Sequence, residues 1–151
     1  MIITPRKLNT YTMFKLPSAY FCGVRTKFID KEKCIVGVKY KWINQNPFKS
    51  MFWVVQGMAA EFSTGALMMS KIQESGKRIS MLVTSNKATF TKKAVGKIKF
   101  TCNDGKAIDE VLKKAIETGE GQTLWMQSVG MNDEGIVVST FDFELSVKVK
   151  S

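Results

Sequence analysis

Between Ser50 and Ser70 the chain reads SMFWVVQGMAAEFSTGALMMS, and Glu61 is the only charged side chain in that stretch. An ionised carboxylate buried without partners is costly, so Glu61 must be paired, protonated or turned toward a solvated cleft. Isolated buried acids concentrate at functional sites, which makes Glu61 the first candidate for a general base or nucleophile. The competing reading is a structural carboxylate held by backbone or by Arg25 or Arg78 from a strand. Gln56, five residues earlier, falls on a different helix face and is expected to be satisfied locally or at a subunit contact. Asn46 precedes Pro47, which joins a preferred N-cap to the residue favoured at the first helical position. A helix opening there would leave the N–H groups of Phe48, Lys49 and Ser50 free to face a developing negative charge on a carbonyl oxygen.

Several chemistries are excluded by composition. The chain has no histidine, so imidazole bases and His/Cys zinc sites are ruled out, and no cofactor is implied. Cys22, Cys34 and Cys102 form no C-x-x-C pair and read as reduced thiols. The net charge of +10 attracts anions. Its lysines are scattered along the chain, without a nucleic-acid module or evident exposed aromatics, so no nucleic-acid partner is expected. The first residues lack the apolar core of a secretory signal, and the cytoplasm is the expected compartment. Gln56, Glu61, Ser63 and Thr64 in mid-run argue against a membrane span.

These residues need elements to position them. At 151 residues one core is expected, over 1–151, with 1–17 as an N-terminal helical extension. Leu8, Tyr11, Phe14 and Leu16 predict a helix from Pro5 to Leu16. Ala19 to Ile29 and Lys33 to Trp42 read as a hairpin through Asp30-Lys31-Glu32. A long helix is expected from Asn46 to Ser75, closed by Gly76. Strands follow at Arg78 to Thr91 and Val95 to Asn103, then an amphipathic helix from Ala107 to Thr118. A terminal hairpin joins Gln122 to Met131 and Ile136 to Lys150 through Asn132-Asp133-Glu134-Gly135. The expected class is α+β, a six-stranded antiparallel sheet enclosing one long central helix.

With NPFKSMFWVVQGMAAEFSTGAL and LVTSNKATFTKKAVGKIKFTC in place, the chain resembles the hotdog superfamily over nearly all residues after Pro17. The likeness is to its thioesterase branch, related to phenylacetyl-CoA and 4-hydroxybenzoyl-CoA thioesterases. The first stretch is similar to the family's central helix, and the second to the paired strands that follow it. The His-Gly-Gly found at the helix start of many members is absent, and Phe52-Trp53-Val54 stands there. The resemblance implies a hydrolase acting on acyl-CoA, with Glu61 as base or nucleophile and the carbonyl oxygen held near Lys49, Ser50 and Met51. It also implies a homodimer or a homotetramer built as a dimer of dimers, with ligand slots between subunits. Lys87, Lys92 and Lys93 are then the candidates for CoA phosphates. The alternative is a non-catalytic acyl-CoA or fatty-acyl binding protein in which Phe52, Trp53, Met58, Met68 and Met69 fill or line an apolar slot.

Overall fold

A computed structural model describes residues 3–151. Its first element is α1 (Pro5–Lys15), where Thr4 accepts the Lys7 N–H at 3.2 Å and Pro5 takes the first helical position. The stretch expected to open a strand at Ala19 forms instead a short second helix, α2 (Pro17–Phe21). Pro17 pre-sets a helical φ, and the chain leaves through Gly23 at φ 96°, a conformation a side chain would disfavour. Only then do β1 (Arg25–Ile29) and β2 (Cys34–Lys39) form the expected antiparallel hairpin. The residues after Lys39 leave the strand because Asn44 gathers them: its amide donates to Cys22 O and Lys39 O, each at 2.9 Å.

The central helix also starts later than expected. It is α3 (Trp53–Ser75), and Asn46 is not its cap. Asn46 Oδ1 accepts the N–H groups of Phe48 at 2.8 Å and Ser50 at 3.3 Å, the local bond by which Asn competes with helix formation. Lys49 then turns at φ 59°, and Met51 bridges back to Gln45. At its other end the helix stops as expected, with Gly76 at φ 69°.

Beyond it lie β3 (Ile79–Phe90), β4 (Lys97–Cys102), α4 (Gly105–Thr118), β5 (Gln122–Met131) and β6 (Val137–Val149). All pairings are antiparallel, in the order β1-β2-β4-β5-β6-β3. The two strands following the helix are therefore not a pair: β3 lies at an edge against β6, and β4 sits between β2 and β5. The connection between them crosses the open end of the sheet. Thr91 donates to Val138 O at 2.9 Å, and Ala94 O takes the Met51 N–H at 2.8 Å, which pins this crossing to the residues just before α3.

The inner sheet face presents Val36, Val38, Ile98, Phe100, Met126, Phe141 and Leu145 to Ala59, Ala60, Phe62, Ala66 and Leu67 of α3. Lys71, buried near the far end of α3, reaches Asp109 of α4 at 3.0 Å. One stripe of α3 stays less covered, through Trp53, Val54, Gly57, Met58, Glu61 and Met69. Among the described residues no helix is long and apolar enough to cross a membrane.

Candidate functional site

Gly57, Glu61 and Gly65 are spaced four residues apart, so they lie along one face of α3. Glu61 is at the middle of that face. Its carboxylate has no hydrogen-bond or ion-pair partner among the described residues, and burial raises its pKa above the ordinary glutamate range. Arg25 does not reach it. Its guanidinium donates to Tyr20 O at 2.7 Å and Val24 O at 2.9 Å and lies over the Tyr20 ring. Gly65 makes room for the acid: a Cβ there would stand 3.3 Å from Glu61 Oε1. Gly65 thus serves the carboxylate directly, whereas Gly57 faces the Phe141 ring. Ser63 and Thr64 turn elsewhere, with Ser63 Oγ 2.7 Å from Ser128 Oγ and Thr64 donating to Glu61 O at 2.8 Å.

At the start of α3 a cleft of about 570 Å³ opens between the helix and the crossing after β3. Asn46, Ser50, Met51, Phe52, Lys92 and Lys93, all expected site residues, line it together. Phe48, Trp53 and Phe90 complete its aromatic wall. Lys93 Nζ donates to Phe48 O at 3.3 Å, so the basic turn and the Asn46 loop form one rim. Gln56 borders the cleft with its amide committed: Oε1 accepts from Ser139 Oγ at 2.7 Å, and Nε2 donates to Met51 O at 3.4 Å. Lys49 is exposed on the loop beside this cleft, whereas Lys87 pairs across from Asp142 on the outer sheet face and does not join it. Met68, expected as a slot residue, is fully buried core.

The N–H groups of Phe48, Lys49 and Ser50 are not free, because Asn46 Oδ1 and Asn46 O accept them. Met51 and Phe52 N–H groups likewise go to Ala94 O and Asn44 O, both at 2.8 Å. The donors without a protein partner among the described residues are those of Trp53 and Val54, at the first turn of α3. Sequence reasoning missed them by following Asn46-Pro47. Ser50 was the overlooked signal, since Asn46 and Ser50 close a loop on each other through Nδ2 to Oγ at 2.9 Å. Trp53 and Val54 lie two turns before Glu61, roughly 12 Å along the helix axis.

A second cleft, of about 660 Å³, opens at the C-terminal end of α3. It lies between α1 and the end of α3, and Leu8, Tyr11, Met69, Ile72 and Met81 make its walls apolar.

The sequence profile of the family described as "Domain of unknown function (DUF4442)" matches residues 6–147. No curated protein matches the chain in sequence. Among solved structures it is similar to a Pseudomonas aeruginosa protein described as of unknown function and a probable thioesterase, with 18% identity, TM-score 0.82 and 97% of each chain covered. A protein of unknown function from Chlorobaculum tepidum is alike at 17% identity and TM-score 0.82, covering 97% of this chain and 98% of that one. A thioesterase from Haemophilus influenzae has 14% identity and TM-score 0.76, covering 99% and 93%. At such identities the likeness is one of fold, and the fold is the hotdog arrangement of a long helix wrapped by an antiparallel sheet.

Proposed function

The chain belongs to the DUF4442 family, and from that premise we propose that it hydrolyses a CoA-type thioester with Glu61 as general base or nucleophile. The observation that carries the reading is the state of Glu61, a carboxylate without a partner among the described residues on the helix face the sheet covers least. Water adds across the thioester carbonyl, with Glu61 taking its proton or attacking first, and the products are a carboxylic acid and a thiol. The N–H groups of Trp53 and Val54 stabilise the oxyanion. Lys92 and Lys93 take the phosphates of the CoA portion at the cleft rim. A panel of CoA thioesters assayed for free thiol tests this reading, and no release above the uncatalysed rate for any acyl group would end it.

One subunit cannot bring its own Glu61 and its own helix start to the same carbonyl, because roughly 12 Å of helix separates them. A two-fold partner lying along the open stripe supplies what is missing, with Glu61 of the partner subunit opposite Trp53 and Val54. Two further features favour such an assembly, a dimer or a dimer of dimers. The edge strand β3 is long and carries exposed Leu82 and Phe90, and Phe52 and Trp53 stand exposed beside it. Sedimentation at micromolar concentration is expected to give twice or four times the chain mass of 17.0 kDa. A monomer would remove the shared site.

Replacing Lys92 and Lys93 by Ala is expected to raise KM for CoA esters and flatten its dependence on salt. Both side chains are exposed, so the fold should persist. Unchanged KM across an ionic-strength series would move the phosphate site elsewhere.

A second reading, acyl binding without turnover, has its own observation. The apolar cleft bounded by Met69 and Met81 at the C-terminal end of α3 suits a hydrocarbon chain. Saturable binding of a fatty acyl ligand, with no thiol released from any ester, would select it.

A further inference from the structure

The outer face of the sheet, away from α3, gathers cations that look dispersed in the sequence. Arg25, Lys27, Lys39, Lys41, Lys97 and Lys99 surround a concavity of about 270 Å³ floored by Gly37, and no acidic residue lines it. Strand register makes the cluster. Gly37 stands opposite Arg25 on one side and Lys99 on the other, while Lys39 stands opposite Lys97. Neighbouring strands are about 4.8 Å apart, well inside a Debye length of about 8 Å, so these charges act together.

Three features mark this as more than solvated surface. Like charges directly opposite across strands cost stability, and Lys39 with Lys97 accepts that cost. None of the six has an ion-pair partner among the described residues. Gly37 leaves its row without a side chain, and the Lys27 stem occupies the space: a Cβ on Gly37 would lie 2.9 Å from Lys27 Cε. Lys27 is thereby laid across the sheet toward the other lysines. Arg25 is fixed from behind by Tyr20, which holds its guanidinium through a carbonyl bond and a ring at 3.5 Å.

From this arrangement we propose that the basic hollow bounded by Gly37 and the Lys27 side chain laid across it is a binding site for a small ligand carrying two adjacent phosphates, separate from the Glu61 groove. The size fits a diphosphate, and the walls offer only cationic donors around an aliphatic floor. No aromatic ring lines it, so it lacks the stacking platform a single-stranded nucleic acid uses. A second copy of this chain is repelled by the same charges.

Isothermal titration of the full chain with inorganic pyrophosphate, and with inorganic phosphate for comparison, tests the site. The expected result is saturable pyrophosphate binding at least tenfold tighter than phosphate and weakening as salt rises. The double variant Lys97→Gln/Lys99→Gln should lose at least tenfold in affinity, with Lys97→Arg/Lys99→Arg retaining it. Lys97→Gln/Lys99→Gln should leave thiol release from CoA esters unchanged, which separates this site from the hydrolytic one. The proposal fails if pyrophosphate gives no saturable heat up to millimolar concentration, or if the Gln variant binds unchanged. It also fails if a short single-stranded RNA binds this face and pyrophosphate does not displace it.

Discussion

Glu61→Gln is expected to lower thioester turnover by about 10² to 10⁴ while making the protein harder to unfold at neutral pH. Gln keeps the shape and the hydrogen-bonding capacity of the side chain and loses only the proton acceptor. A rate loss with little change in KM therefore isolates base or nucleophile chemistry. The stability effect has the opposite direction because burial holds the Glu61 pKa above its ordinary value and no cation among the described residues compensates. Below about pH 4.3 the carboxyl is protonated in folded and unfolded chains alike, and its titration costs nothing. Above that value the unfolded chain releases its proton first, so stability falls until the folded carboxyl ionises as well. Glutamine escapes that loss. Parent turnover should rise with pH through the same raised value, since the base must be ionised to act. Thermal unfolding recorded beside turnover distinguishes the cases. Full activity in a folded Glu61→Gln protein would end the assignment.

Phe100→Ala is expected to remove about 3–5 kcal/mol of stability, a large share of the 5–15 kcal/mol a domain of this kind holds. Phe100 is fully buried at the middle of the sheet, with its ring centroid 6.0 Å from that of Phe141. Its ring also covers Gly130, where an added Cβ would fall 2.5 Å from Cε1, so removing the ring leaves a gap over a residue that has no side chain to fill it. Urea denaturation should report a lower midpoint with a similar slope. Phe28→Ala, at an exposed position, should shift the midpoint little. A loss below about 1 kcal/mol at Phe100 would mean that the core refills. The consequence reaches the cleft. Phe141 touches Phe90 at 5.6 Å and Phe90 touches Trp53 at 6.4 Å, so the same run of rings supports the start of α3.

Local patterns were enough for the elements whose causes are local. Helical spacing and Gly76 marked the end of α3, alternation marked β5 and β6, and Asn132 to Gly135 marked their turn. Glu61 stood out for the same reason, as one charge in a run otherwise suited to burial. Elsewhere two local signals competed. Asn46-Pro47 is a sound helix start in isolation, yet Asn46 closed an Asx loop with Ser50 and the crossing at Ala94 took the Met51 N–H, which pushed the first helical turn to Trp53. That displacement moved the free N–H groups from Phe48, Lys49 and Ser50 to Trp53 and Val54.

Strand order was beyond local reading, because hydrophobic alternation says which face a strand buries and nothing about its neighbours. Residues 91–96 carry the chain across the open end, and so β3 pairs with β6 and leaves its other edge unpaired. The Cβ-free space at Gly65 and the absent partner at Glu61 are facts of packing. The basic hollow is a fact of register: Arg25, Lys39, Lys97 and Lys99 are far apart along the chain and meet only because three antiparallel strands align them around Gly37. Charge acts through space, and distances between residues remote in sequence exist only once the sheet has formed.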